Sequence, residues 1–183
     1  MAAPWENGAR TQRVTPRRVE RPLDAGDIAD AVRRAAAEGL RVRAVGSGHS
    51  FTGAAVTDGV QLDLDAVRRV ERVLPLPDGR SLVTVGAGIR LRRLCAELAA
   101  RGLALENMGD IDHQTLAGAI STGTHGTGAR LRGMAAQVAG VRLVTAGGDV
   151  VDLTPDDEAF EPARLGLGAV GVLAAVTLAV VPA

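Results

Sequence analysis

No lysine occurs in this sequence; all 21 basic residues are arginines, matched by 21 acidic residues for a formal charge of zero. That balance excludes binding to nucleic acid or to an acidic membrane by bulk electrostatics. A single cysteine, Cys95, excludes an intrachain disulfide framework and suits a reducing cytoplasm, which is the expected location. His113 and His125 lack zinc-ligand spacing to any other histidine or to the cysteine, so no metal site is expected. Residues 1–8 carry no apolar stretch between a basic start and a cleavage site, and no signal peptide is read there. No charged residue falls between Leu165 and Ala183, a length that approaches a membrane span. Glycines at 166, 168 and 171 followed by a valine-rich run read instead as a buried strand, and no membrane partner is expected.

What is present is a mixture of helix and strand signals sized for one ordinary domain of 183 residues. Residues 1–15 form an arm without periodicity. Asp24 is a good N-cap, and Ile28, Val32 and Ala35 form the apolar stripe of a helix that Gly39 closes. Strands are expected at Val42–Val45, Val60–Leu64 and Ser81–Val85, the last preceded by turn residues 74–80. A second helix is expected over Ile89–Arg101, with Gly102 as its stop and Cys95 on the packed side of its stripe. Val138–Thr145 and Asp149–Leu153 read as a hairpin around Gly147 and Gly148, followed by a short helix from about Pro155 and a last strand. The order favours an α+β fold over a doubly wound parallel sheet.

Two glycine-rich, hydroxyl-bearing segments stand out. The first, Val45-Gly46-Ser47-Gly48-His49-Ser50-Phe51, ends a strand-like run in a Gly-x-Gly turn. Such a turn lets backbone N–H groups converge on an anion. A Rossmann site would need a third glycine and a helix starting within the motif, whereas residues 51–59 are loop-like. Taken alone, the motif is either a phosphate cradle or a plain tight turn. The second segment, Thr115 to Gly128, can begin a short helix whose free N–H groups face an anion. Thr115, Ser121, Thr122 and Thr124 add hydroxyls there, while Gly118, Gly123, Gly126 and Gly128 permit close approach by a flat ligand. A small-residue helix packed on a strand is the structural alternative. Two such segments in one chain suggest a ligand with a diphosphate. Glu106, Asp110 and Asp112 read as solvated loop carboxylates, and His113 as exposed.

These blocks, with Asn107-Met-Gly-Asp-Ile111 and Leu167-Gly-Ala-Val-Gly-Val172, resemble the flavin-binding domain of the vanillyl-alcohol oxidase family, and within it the sugar-lactone and alditol oxidases. Trp5-Glu-Asn7 with Thr11-Gln12 resembles the arm that opens those proteins. The resemblance implies a two-subdomain FAD-binding domain of the p-cresol methylhydroxylase type, with FAD between subdomains 16–78 and 79–183, divided near Leu76–Arg80. It implies FAD contacts from Val45, Gly46, Ser47, Gly48, His49, Ser50 and Phe51, then from Thr115, Gly118, Ser121, Gly123, Thr124, His125 and Gly126, and from Val172 at the adenine end. It also implies a covalent bond from His49 to the flavin 8α-methyl carbon, imidazole being nucleophilic when neutral. His125 would hydrogen-bond beside the flavin.

Family members that oxidise sugars are about twice this length or more, on an allowance of roughly 100–200 residues per domain. They carry a following substrate domain, and the lactone oxidases end in His-Trp-x-Lys; here the one tryptophan is Trp5 and lysine is absent. The expectation is therefore the FAD-binding part of an oxidoreductase acting on a sugar lactone or polyol, with no catalytic base in this chain. The alternatives are a flavin subunit of a split enzyme and a stand-alone or decayed FAD-binding module without turnover.

Overall fold

The computed structural model describes residues 2–183 and is an α+β assembly of two main sheets of unequal size, with a two-stranded ribbon in the opening arm. In chain order the elements begin with β1 (Trp5–Glu6), β2 (Arg13–Val14), β3 (Arg18–Glu20), α1 (Ala25–Ala37), β4 (Val42–Val45) and β5 (Val60–Asp63). They continue with β6 (Val70–Pro75), β7 (Ser81–Gly86), α2 (Leu91–Ala99), β8 (Leu103–Ala104) and α3 (Leu116–Ser121). Last come β9 (Val138–Val144), β10 (Val150–Leu153), α4 (Phe160–Leu165) and β11 (Val172–Pro182).

The small sheet has the order β3-β5-β4, all parallel. Its two outer strands are joined through α1, so the helix must cross one face of the sheet. Asp24 caps that helix by accepting from the Asp27 amide, and Gly39 ends it at φ +66°. Ile28, Ala31, Val32 and Ala35 are buried against Val60 and Leu62 of β5. Complete burial of Ile28 alone contributes roughly 2 kcal/mol. The same core takes in Val144, Val172 and Ala174 from the other sheet, so α1 is wedged between the two layers. Arg33 on α1 reaches the carbonyl of Gly148 at 2.6 Å and ties the helix to the β9–β10 turn.

The large sheet is antiparallel, ordered β10-β9-β11-β7-β6, with β8 added beside β11. The uncharged segment near the end of the sequence is its middle strand, buried at nearly every position up to Val180. Among the described residues no helix is long and apolar enough to cross a membrane. A second core fills the face covered by α2, α3 and α4, with Leu91, Leu94, Leu98, Leu116, Ile120 and Phe160 fully or almost fully buried.

Several expectations shift. The arm pairs with itself through β1 and β2, and β3, β6 and β8 appear where no strand is expected. The turn at 76–80 closes the β6–β7 hairpin inside the large sheet, and the chain passes between the sheets at 64–69. Helix α4 begins at Phe160 rather than near Pro155, because the Asp157 carboxylate accepts from both the amide and the hydroxyl of Thr154 and holds a turn there. Cys95 is half-buried, with its Sγ 3.6 Å from the sulfur of Met108. Burial, with the Asp112 carboxylate adding to it, pushes its thiol up, away from a reactive thiolate.

Candidate functional site

Where the two sheets approach, the ends of β4 and β7, the small face of α3 and the start of β11 converge on a cleft of about 150 Å³. Strand β4 delivers Val45 and the turn Gly46–Ser50 to one wall. Gly48 takes φ +70°, a conformation that costs a residue with a Cβ about 1–2 kcal/mol. No protein group among the described residues accepts from the amides of Ser47 through Phe51. Consecutive unclaimed N–H groups on a glycine-rich turn are what an anion requires.

The opposite wall is α3, which presents Ala117, Gly118, Ser121 and Thr122. Its N-terminus differs from expectation, because the first-turn amides are not free. Leu116 donates to the Ile89 carbonyl, Ala117 to the Ala87 carbonyl, and Gly118 to the hydroxyl of Thr115. In return Leu91, at the start of α2, donates to the Gln114 carbonyl. The two helix starts thus satisfy each other, and α3 offers the ligand small side chains rather than free backbone amides.

Ser47 fixes the turn from below. Its hydroxyl donates to the His113 carbonyl at 2.7 Å and accepts from Arg90 at 3.1 Å, and Arg90 also reaches Asp65 at 3.5 Å. Arg90 is invisible as a site residue in the sequence because its partners lie on remote segments. Ala87 and Gly88 also line the cleft without having been expected there, although Gly86-Ala87-Gly88 at the end of β7 repeats the Gly-x-Gly pattern that follows β4. A Cβ on Gly88 would meet the Leu64 carbonyl, so that glycine permits the crossing that forms the cleft floor.

Of the expected site residues, Val45, Gly46, Ser47, Gly48, His49, Ser50, Thr115, Gly118, Ser121 and Val172 are brought together around the cleft. Phe51 points into solvent at 73% exposure. Gly123, Thr124, His125 and Gly126 lie outside the lining; Thr124, His125 and Gly126 lie against residues 107–109, and Gly123 faces Leu165. Gly126 leaves no room for a Cβ, which would stand 2.5 Å from both the Asn107 Oδ1 and the Met108 carbonyl. His125 is exposed and donates from Nδ1 to the Gly126 carbonyl at 2.8 Å. Buried Gln137 holds this region by accepting from the Glu106 amide and donating to the Asn107 carbonyl. A second hollow of about 330 Å³ shares Ala44, Ala54, Leu167, Gly168, Gly171 and Val172 with the cleft, extending it along the 167–172 loop. The two hollows together form a mostly apolar groove with the glycine-rich turn 46–50 at one wall.

The cleft thus sets unclaimed backbone amides on one wall against small side chains on the other. Residues 16–154 match the family model described as FAD binding domain, and the chain belongs to that family. It is 46% identical to an L-gulono-1,4-lactone dehydrogenase of Mycobacterium tuberculosis, over 100% of this chain and 42% of that protein. It is 35% identical to a mouse (Mus musculus) L-gulonolactone oxidase, over 97% and 40% respectively. To an alditol oxidase of a Streptomyces species the identity is 39%, over 100% and 43%. The chain thus spans about two fifths of the length of these relatives. FAD is the cofactor of the domain. The unclaimed amides and the side-chain-free walls at Gly46, Gly48 and Gly118 fit its diphosphate and flat rings.

Proposed function

We propose that this chain is the FAD-binding portion of an oxidoreductase that oxidises the CH–OH group of a sugar lactone or alditol. In this reading the small sheet with α1 and the large sheet with α2–α4 are two subdomains, divided at 64–69, and FAD lies in the groove between them. The amides of Ser47 to Ser50 would hold the diphosphate, and the His49 imidazole would bond to the flavin 8α-methyl carbon, the hydrogens lost from the two bonded atoms reducing the flavin by two electrons until an acceptor such as dioxygen restores it. FAD supplies hydride acceptance; the chain supplies binding and orientation. Ser47, locked by Arg90 and the His113 carbonyl, holds the turn, while Gly118 and Ser121 let the cofactor approach α3. The sugar substrate and the groups that handle its proton are assigned to the remainder of a longer protein.

The observation that carries this reading is the run of unclaimed amides from Ser47 to Ser50 at the wall of a groove in a chain of the FAD binding domain family. The test is the visible spectrum of the purified chain, then acid precipitation and in-gel flavin fluorescence. Yellow colour that stays with the precipitate and vanishes in His49→Ala supports the full reading. Colour released into the supernatant keeps FAD binding and removes the covalent bond. A chain that takes up no flavin after refolding with FAD contradicts the reading.

A further inference from the structure

The opening arm makes three hydrogen bonds to the anion-cradling turn, all directed at backbone carbonyls. The Gly8 amide donates to the Gly48 carbonyl at 2.8 Å, the Asn7 side chain to the Ser50 carbonyl at 2.9 Å, and the Thr11 hydroxyl to the Phe51 carbonyl at 3.3 Å. Asn7 is the centre of this contact. It is 2% exposed, and each hydrogen-bonding position of its side chain is used. Its oxygen accepts from the amides of Thr11 (2.9 Å) and Gln12 (3.0 Å), and its nitrogen donates to the Thr11 hydroxyl (2.9 Å) as well as to Ser50. A buried carboxamide with four bonds has one orientation.

In a trans peptide the carbonyl of one residue and the N–H of the next point in opposite directions. Holding the carbonyls of Gly48 and Ser50 toward the arm therefore turns the amides of His49 and Phe51 away from it. Carbonyl oxygens in the cradle would repel an anion; here the arm takes them.

We propose that Asn7 is a positioning residue for cofactor binding: through the Ser50 carbonyl it fixes the peptide planes of residues 48–51, so that the turn presents N–H groups to the diphosphate and keeps His49 at the cleft. The proposal rests on the FAD-binding reading given above. It assigns to the arm, which lies before the family-matched residues 16–154, a part in the cofactor site.

The discriminating variant is Asn7→Asp in the 183-residue chain. A carboxylate still accepts from Thr11 and Gln12, so the arm keeps its own turn, but it cannot donate to the Ser50 carbonyl. Thr11→Val is the second, uncharged variant, removing both the bond to the Phe51 carbonyl and the acceptor for one Asn7 N–H, while the Asn7–Ser50 bond remains. Two quantities are measured: the thermal midpoint with the 15N order parameters of residues 48–51 in the chain without FAD, and the FAD dissociation constant by titration in a His49→Ala background, where no covalent bond forms. We expect order parameters in the turn to fall from about 0.85 toward 0.6, values typical of rigid and flexible backbone. FAD binding should weaken about tenfold in Asn7→Asp and less in Thr11→Val, while each variant stays folded. Should Asn7→Asp fail to fold, Thr11→Val alone decides by the same two quantities. Unchanged order parameters and unchanged FAD affinity in the folded variants overturn the proposal. If the unaltered chain binds no FAD, the cofactor reading fails by itself, and the order parameters still decide whether the arm orders the turn.

Discussion

A Cβ placed on Gly46 would stand 2.4 Å from the Oγ1 of Thr115. This contact brings the two glycine-rich segments together across 69 residues of chain, and Thr115 cannot easily move away because its hydroxyl caps α3 by accepting from Gly118 at 3.3 Å. Gly46→Ala should therefore destabilise the chain by about 1–3 kcal/mol through overpacking and weaken FAD binding at least tenfold. Thr115→Ala alone should cost about 1 kcal/mol, as for a lost N-cap. Combined, the two should cost less than their sum, because the second removes the atom the first collides with. Urea unfolding of the four proteins in the cycle checks this.

Ser47 is the next point of leverage. Ser47→Ala should cost about 1 kcal/mol for the hydrogen bonds lost and loosen the turn enough to lower FAD affinity several-fold. Asp65→Asn should change stability by less than about 0.5 kcal/mol, since the Arg90–Asp65 pair is largely solvated. A flavin titration and a denaturation curve on each variant separate the two effects.

Acid should loosen the small sheet through Glu20. Burial alone would raise its carboxyl, but hydrogen bonds from Arg18 (2.7 Å) and Arg34 (2.6 Å) outweigh that and hold it below the ordinary carboxylate range. The unfolded carboxyl titrates near about 4.3, so this stabilisation is full above that pH and is lost as the pH falls through the lower folded value. Glu20→Gln should be less stable than the parent at pH 7, with the gap narrowing towards pH 3. Equal gaps at both pH values would contradict the ion-pair account.

Two glycines predict opposite severities. Gly39, at φ +66° with nothing within 4 Å, tolerates a methyl sterically, so Gly39→Ala should cost about 1 kcal/mol from backbone conformation alone. Gly59→Ala would place a Cβ at 2.2 Å from the Arg41 carbonyl, in the turn that feeds β5. That variant should fail to fold stably, as read by circular dichroism.

Trp5 is the sole tryptophan, and the chain has no tyrosine. Its indole lies against Gly48, close enough to stand 3.6 Å from a Cβ built there. FAD binding should quench its emission, and quenching should persist in His49→Ala, where only the covalent link is removed.

Much of the fold was legible where the signals are local. The Asp24 cap, the Ile28 and Val32 stripe and Gly39 are near neighbours in sequence, and α1 follows from them. The β9–β10 hairpin carries patterns that match its burial, while β4 is half-buried throughout and is marked by the glycine turn that follows it. Strand β6 was missed because Val70 to Pro75 is mostly exposed and mixes charge with apolar residues, leaving no period of two to read. The site divides in the same way. The turn at 46–50 announces itself by composition, whereas the pairing of Asn7 with Ser50, or of Ser47 with His113, is made by the folded chain across 43 and 66 residues and leaves no local trace. The α3 amides looked free because the partner that claims them, the 87–89 loop, is equally remote.

The middle position of β11 in the large sheet has a consequence in time. During synthesis the strands β6, β7 and β9 emerge before residues 172–182, and β7 and β9 have no partner on their inner edges until β11 slots between them. The small sheet with α1 draws its hydrogen bonds from residues 18–63 and can zip up early. The large one waits for its keystone with two unpaired edges, the kind of surface on which chains aggregate. Recovery of this protein from expression should thus depend more on how quickly that last insertion occurs than on the strength of the finished fold.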